Sequence, residues 1–392
     1  MPAKSGEARV SNKSPAPNDK NSNPWTPNGF QAIGPAPMTD PDAPWGGSPL
    51  KVKDIGEFGL IERIARLLPC HAPEVVVGIG DDVAVLKSPS SDYLLATCDC
   101  QVESIHFNRD LITDQQLGRR VVAVNVGDIA AMGGAPNGAL VTMVLPEETD
   151  VGYVDSLYEG MRSQLAEFGG IVVGGNVSRS PDRLMIDFFL LGRVSPDRLL
   201  LRSGARAGDV VMVTGHPGDS RAGLECLRRP ELKVDPEHRE LLLNRHLTPR
   251  ARLAEGQLLA STGKVHAMAD VSDGLVADLR HICRASGTGF RVFTSHIPIS
   301  RACRGAAETA REDATEWALT GGEDYELVFA AAPESAPGLQ RLLKEEAGTI
   351  SSIVGEILQD PTRSEIVLAD GSTRRLSSSS SGWDHFGKSG VP

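Results

Sequence analysis

The chain reads as a two-domain α/β protein, on three observations. Its 392 residues exceed what one compact core usually holds. Short β-branched runs alternate with stretches of helical apolar spacing. The alternation restarts after residue 200, as it would in a second layered unit.

Residues 1–48 are rich in proline, serine and asparagine and poor in aliphatics. That composition cannot bury enough apolar surface to offset ordering entropy, so a disordered tail is expected. An N-terminal domain is expected over 49–200, a C-terminal domain over 201–375, and a last segment over 376–392 that begins with a serine run. Phe58, Leu60, Ile61, Ile64, Leu67 and Leu68 follow helical spacing; Val75-Val76-Val77 and Tyr93 to Thr97 read as strands. A helix rich in small residues follows from Leu117 to Gly133, then a strand from Ala139, a helix from Val154, and strands at Ile171 and Met185. In the second unit a strand at Asp209 to Thr214 runs through a glycine-rich turn into a helix ending near Arg229. Helices are expected at Arg250 to Ser261 and Asp273 to Ala285, and a strand at Glu326 to Ala330. The Asp273 helix carries Leu275, Val276, Leu279, Ile282 and Cys283 on one face, a stripe that predicts burial.

A formal charge of −11 excludes a nucleic-acid surface, which needs a basic stripe to neutralise phosphates. The most apolar stretch, Val121 to Leu145, is broken by Asn125, Asp128 and Gly133-Gly134, so no membrane span is expected. Six cysteines form no CxxC pair or framework, and no signal pattern opens the chain; reduced thiols and a cytoplasmic location are expected.

Aspartates recur where elements end: Asp81-Asp82 after a strand, Asp99 at a strand end, Asp270 and Asp273 between a strand and a helix, and Glu323-Asp324 before a strand. Singly, each fits an N-cap or a turn. Asp128 differs, because a carboxylate on so apolar a helix is costly to bury without a cation or donor. Together the acids suit a hard cation such as Mg²⁺, which takes oxygen ligands and shares them with phosphates. Gly382 to Ser389 matches Walker A spacing, but only three residues follow it, too few for the helix such a loop needs. There is no Gly-x-Ser-x-Gly elbow and no Cys/His spacing for zinc.

In order along the chain stand GIGDDVAVL (78–86), DCQVESIHF (99–107), NVGDIAAMGG (125–134), GGNVSRS (174–180), RSGARAGD (202–209), VTGHPGDSRAGL (213–224), DVSDGLVADLRHI (270–282), GGEDYEL (321–327) and GWDHF (382–386). This ordered set resembles the thiamine-monophosphate kinase family, a branch of the superfamily that includes aminoimidazole ribonucleotide synthetase and selenophosphate synthetase. The resemblance implies the aminoimidazole ribonucleotide synthetase-like fold, with N-terminal domains pairing into a dimeric β-barrel and a C-terminal α/β domain. It implies ATP and thiamine monophosphate as ligands, Mg²⁺ between them, and a homodimer. The positions matching metal ligands are Asp82, Thr97, Cys98, Asp99, Asp128, Asn176, Asp270 and Asp273. Gly175, Asn176, Arg202 and Ser272 match nucleotide contacts, and His106, Glu323 and Trp383 match positions near the thiamine substrate. Asp128, Arg202 and Asp273 are the expected catalytic set, Arg202 holding phosphate in fork geometry. Two departures stand out: Asn176-Val177 where the family has Asp-Thr, and Cys98 where it has a hydroxyl residue. Another ATP-dependent synthetase of the superfamily, or a non-catalytic thiamine-phosphate-binding homologue, stays open as an alternative.

Overall fold

A computed structural model describes residues 51–68 and 72–376. The expected tail, the Walker-like stretch and Trp383 lie outside the described residues.

The first half builds one sheet. Helix α1 (Val52–Leu67), bent at Gly56, precedes β1 (Val75–Val77), β2 (Ala84–Leu86) and β3 (Tyr93–Val102). There follow α2 (Asp114–Ala131), β4 (Ala135–Leu145), α3 (Val151–Phe168), β5 (Ile171–Arg179) and β6 (Met185–Val194). The strand order is β1-β2-β3-β6-β4-β5, an open sheet in which only β4 and β5 are parallel, joined by the α3 crossover. Period-two alternation sends Leu95, Val141, Ile186, Phe188 and Leu190 into the core beneath α2 and α3. Thr113 caps α2 with Gln116 in a reciprocal box, and Asp150 caps α3. The two helices pack so closely that a Cβ on Gly118 would lie 2.0 Å from the Leu157 carbonyl oxygen, and one on Gly160 would lie 2.2 Å from that of Gln115. Only glycine fits that seam.

The second half has a seven-stranded sheet ordered β13-β12-β9-β11-β7-β10-β8. In chain order the elements are β7 (Val210–Thr214), α4 (Asp219–Arg228), α5 (Pro236–Leu247), α6 (Leu253–Ser261), β8 (Val265–Val271), α7 (Leu275–Ser286), β9 (Gly289–Phe293), α8 (Arg301–Ala310) and α9 (Ala314–Thr320). They end with β10 (Glu326–Ala331), α10 (Ala336–Glu346), β11 (Ser351–Leu358), β12 (Ser364–Val367) and β13 (Thr373–Arg375). All five stripe residues of α7 are buried, as their spacing predicts. Among the described residues no helix is long and apolar enough to cross a membrane.

Two local expectations change. The strand expected to stop at Asp99 runs on to Val102, because β6 pairs with it along its whole length. Helix α5 was not anticipated, although Asp235-Pro236 is a start signal: the carboxylate accepts from the Glu237 and His238 amides, and proline occupies the first turn.

A buried polar knot ties α6 to the second sheet. Arg252 donates through Nε to Glu326 Oε2 at 2.7 Å, and through Nη2 to Oε1 at 2.6 Å. Its Nη1 reaches Glu255, which also accepts from Thr349 at 2.6 Å. Thr214 donates to the same Glu326. Replacing Arg252 with methionine would leave two buried carboxylates without their cation, a loss of about 3–5 kcal/mol. A lowered urea midpoint of unfolding is the expected result; an unchanged one refutes the assignment.

Candidate active site

Three carboxylates converge from distant parts of the chain. Asp82 follows the β1 turn, Asp128 sits in the last third of α2, and Asp270 is near the end of β8; each brings an oxygen within 4.8 Å of the others. At an effective dielectric of about 20, two charges at that spacing repel by roughly 3–4 kcal/mol. Local contacts nonetheless hold them. Thr97 Oγ1 on β3 donates to Asp128 Oδ2 at 2.7 Å. The Asp99 amide donates to Asn125 Oδ1 at 3.0 Å, and Asn125 is itself tied to the Val121 carbonyl, so β3 is clamped onto α2. Ser272 approaches Asp270 Oδ1 at 3.5 Å.

Arg202, in the segment between the two sheets, is the counter-ion. Its Nε donates to Asp82 Oδ1 at 2.9 Å, and its Nη2 goes to the same oxygen. Its backbone is held at both ends: Asp81 accepts from the Arg202 amide at 3.2 and 3.3 Å, while Ser286 of α7 donates to the Arg202 carbonyl. Burial alone would lower the Arg202 pKa, but Asp82 and Asp81 more than offset this and hold the guanidinium charged. One cation does not satisfy three acids. Asp82 Oδ2 and Asp270 Oδ2 are buried without a hydrogen-bond partner. Burial, and then the neighbouring aspartates, push Asp128 well above the usual carboxylate range; burial and Asp82 do the same to Asp270. Two orphaned oxygens in an all-oxygen donor set fit a hard divalent cation.

A second group adjoins the first. Asp273, Asp278 and His281 present ligand atoms within 4.8 Å of one another. Asp278 Oδ2 accepts from the amides of Asp273 and Gly274 at 3.2 and 3.1 Å, so it shapes the loop that carries Asp273. Phe58 of α1 packs on the His281 ring, centroids 4.8 Å apart.

Beyond the acids, the Glu323 amide donates to the Ser272 carbonyl at 2.7 Å, and Arg120 of α2 donates to the Glu323 carboxylate. His106 accepts from the Val102 amide at 2.9 Å and contributes to holding Glu323 ionised, which places it at the same end. Asp324 has a different task. It accepts from the amides of Gly218 and Ser220, filling the N-terminus of α4 with a carboxylate from within the chain.

Not all the sequence candidates meet. Thr97 and Asp99 face α2, so alternation turns the Cys98 thiol to the opposite face, where burial, Asp187 and Asp99 push its pKa up. Gly175 and Asn176 lie on β5, an edge of the sheet. Asp99 pairs with Phe188, Phe188 with Val141, and Val141 with Gly175. Three strand steps put them ~14 Å from Asp99 along the sheet. Tyr158 and Val172 line a shallow hollow beside them. Sequence reasoning missed the roles of Asp81, Asp278, Asn125 and Arg120. Arg120 carried the signal that singled out Asp128, a charge on an apolar helix face.

The raised carboxyls make a pH test. Their folded pKa values exceed the unfolded value near 4, so the stability tied to their protonation is lost as pH rises; for Asp81, burial and Asp82 push the value up to about 7. His246 and His281, whose pKa values burial pulls down to about 4, act the opposite way, so the test compares variants. The loss of melting temperature between pH 5.5 and pH 7.5 is expected to be larger in metal-free wild type than in Asp81→Asn, with Mg²⁺ raising the wild-type melting point at pH 7.5 more than at pH 5.5. Thermal melts with and without Mg²⁺ check this. A Mg²⁺ shift that persists undiminished in Asp270→Asn would remove Asp270 from the site.

The sequence matches the AIR synthase related protein family over both parts, the N-terminal domain at residues 80–194 and the C-terminal domain at 206–367. The thiamine-monophosphate kinase of Aquifex aeolicus (strain VF5) is 38% identical over 285 residues, covering 73% of this chain and 89% of that protein. The thiamine-monophosphate kinase of Escherichia coli (strain K12) is 35% identical over 331 residues, 84% of this chain and 98% of its own length. Among solved structures, AaThiL complexed with AMPPCP and TMP superposes with a TM-score of 0.74 at 33% identity, over 86% of this chain and all of that one. E. coli HypE, at 20% identity and a TM-score of 0.61 over 82% of this chain and 97% of its own, shares the fold. Two AIR synthase related domains, the convergent aspartates and near full-length likeness to these kinases lead to one assignment: the chain belongs to the thiamine-monophosphate kinase family.

Proposed function

We propose that the protein is a thiamine-monophosphate kinase, transferring the γ-phosphoryl group of ATP to thiamine monophosphate to give thiamine diphosphate and ADP. The observation that carries this reading is the Asp82–Asp128–Asp270 cluster with its two orphaned oxygens beside Arg202. An oxygen of the acceptor phosphate forms the new bond to the γ-phosphorus, and the bond to the β–γ bridging oxygen breaks, its electron pair leaving with ADP. The acceptor is already ionised at neutral pH, so no general base is required. Asp82, Asp99, Asp128, Asp270 and Asp273, with Thr97, would hold Mg²⁺, which when bound neutralises charge on the transferred group. Arg202, held by Asp81 and Ser286 through its backbone, is assigned to the phosphate oxygens, for which its fork would exchange Asp82. Ser272, Gly175 and Asn176 are assigned to the nucleotide, His106 and Glu323 to the thiamine end.

The homodimer and its shared barrel belong to the same reading. Their support is an edge strand that exposes Ile171, Val173 and Val177, beside Leu140 of β4. Within one chain Asn176 stands three strands from Asp99, so a metal contact from Asn176 to that aspartate would come from a second copy. A cytoplasmic location also belongs here, in keeping with five free cysteines among the described residues. The division into domains near residue 200 is part of it.

Incubation with ATP, Mg²⁺ and thiamine monophosphate is expected to give thiamine diphosphate, with thiamine itself not phosphorylated; no product despite binding of both ligands would leave a binding protein. Asp128→Ala is expected to lower turnover by roughly 10²–10³ while the circular dichroism stays that of the wild type. Wild-type turnover in that variant would take Asp128 out of the metal site. Asn176→Asp is expected to lower the Mg²⁺ concentration giving half-maximal rate, and an unmoved Mg²⁺ curve would mean that position 176 does not touch metal.

A further inference from the structure

Phosphoryl transfer as described uses one end of α2 and leaves unexplained the charge at the other. Arg120 is 1% exposed, one of the largest fully buried side chains of the described residues. Its Nη2 donates to Glu323 Oε1 and its Nη1 to the His246 carbonyl, while Nε is buried with no partner. A guanidinium cannot shed its charge, so burying it here carries a desolvation cost that its two partners must offset. It lies eight residues before Asp128, about 12 Å along the helix axis. It is therefore not a further member of the carboxylate cluster.

What Arg120 holds is an unusual loop. Gly322, Glu323 and Tyr325 all have left-handed backbones, with φ of 68°, 57° and 50°. The loop is pinned by the Glu323 amide on the Ser272 carbonyl and by the Tyr325 amide on the Val271 carbonyl at 2.9 Å, directly after Asp270. Non-glycine residues keep such conformations where surrounding contacts over-determine them, which happens most at functional sites. The Glu323 side chain stays 32% exposed, so a ligand can reach it. Its second oxygen, Oε2, stands 3.7 Å from His246 Nδ1. That nitrogen is 3.1 Å from Ser220 Oγ, and burial pulls the His246 pKa down to about 4, leaving the ring neutral at pH 7. Burial would raise the Glu323 pKa, but Arg120 above all keeps the carboxylate ionised. The Arg120–Glu323 pair thus has no net charge, and one carboxylate oxygen is already committed.

We infer that Arg120 is a positioning residue for the thiamine end of the site: it orients Glu323 and cancels its charge, so that Glu323 recognises its ligand as a hydrogen-bond acceptor. This rests on the reading that Glu323 faces thiamine monophosphate. The role differs from simple neutralisation of the thiazolium cation, for which a lone carboxylate would serve. It also makes Arg120 selective in effect, acting through Glu323 on one substrate and not the other.

Steady-state kinetics of the full-length wild type, Arg120→Lys, Arg120→Met and Glu323→Ala test it. Arg120→Met is expected to raise KM for thiamine monophosphate tenfold or more, with KM for ATP and the half-saturating Mg²⁺ within twofold of wild type. Arg120→Lys, which keeps the charge, is expected to recover most of that loss. Parallel changes for both substrates, or a wild-type KM in folded Arg120→Met, would overturn the inference. If Arg120→Met does not fold, Arg120→Gln decides: a selective rise in KM for thiamine monophosphate supports the inference, and an unchanged KM or a parallel rise for ATP ends it. Glu323→Ala checks the underlying reading, which fails if its KM for thiamine monophosphate is unchanged. A wild-type protein that forms no thiamine diphosphate would fail the kinase reading instead. Calorimetric titration with thiamine monophosphate would then read the Arg120 effect as a tenfold loss of affinity, and equal affinity in wild type and Arg120→Met would overturn it.

Discussion

Like charges held together against their repulsion organise this molecule. Asp82, Asp128 and Asp270 come from a loop, a helix and a strand end nearly two hundred residues apart at the extremes, and they meet within 4.8 Å. Each is braced by a neighbouring polar group: Thr97 on Asp128, Arg202 on Asp82, Ser272 beside Asp270. Repulsion of a few kcal/mol per pair is a large fraction of a domain's net stability. The cluster therefore persists only because the packed cores, which join residues of both halves, bring it together.

The charged side chains of the interior divide the labour. Arg202 faces the cluster, Arg120 faces Glu323, and Arg252 faces Glu326 and Glu255. The first is 20% exposed at its side chain, so a bound phosphate could compete for it; the last is 6% exposed and locked by four hydrogen bonds to three partners. Exposure separates the arginine a ligand could reach, Arg202, from the two that are sealed against their own carboxylates. Asp324 shows the same logic with the opposite sign. By sealing the α4 N-terminus from inside, it removes a ready anion site that could hold a phosphate away from the acids.

Much of this was legible from local pattern. The α7 stripe, the strand ends that carry acids and the anomalous Asp128 all follow from periodicity and from the cost of burying charge. What escaped depends on register and partners across the fold. Cys98 and Thr97 are neighbours in sequence, yet the pleat places them on opposite faces. Asn176 enters only through the family resemblance, as a metal and nucleotide contact, but it lies on an edge strand that only the strand order reveals. Arg120 carried a readable signal, a charge among buried aliphatics, whereas its partner Glu323 lies 203 positions away and no spacing rule connects them.

The glycine seam between α2 and α3 gives α2 a mechanical character. With backbones this close at Gly118 and Gly160, the helix cannot roll or slide without atoms overlapping. One end of this fixed rod carries Arg120 and the other Asp128. Any shift of the rod would displace Arg120 and Asp128 at once, so on the proposed reading the grip on the organic half of the substrate and the grip on its phosphates are geometrically geared. A side-chain substitution can retune either site, but a displacement of the helix cannot move one and leave the other in place.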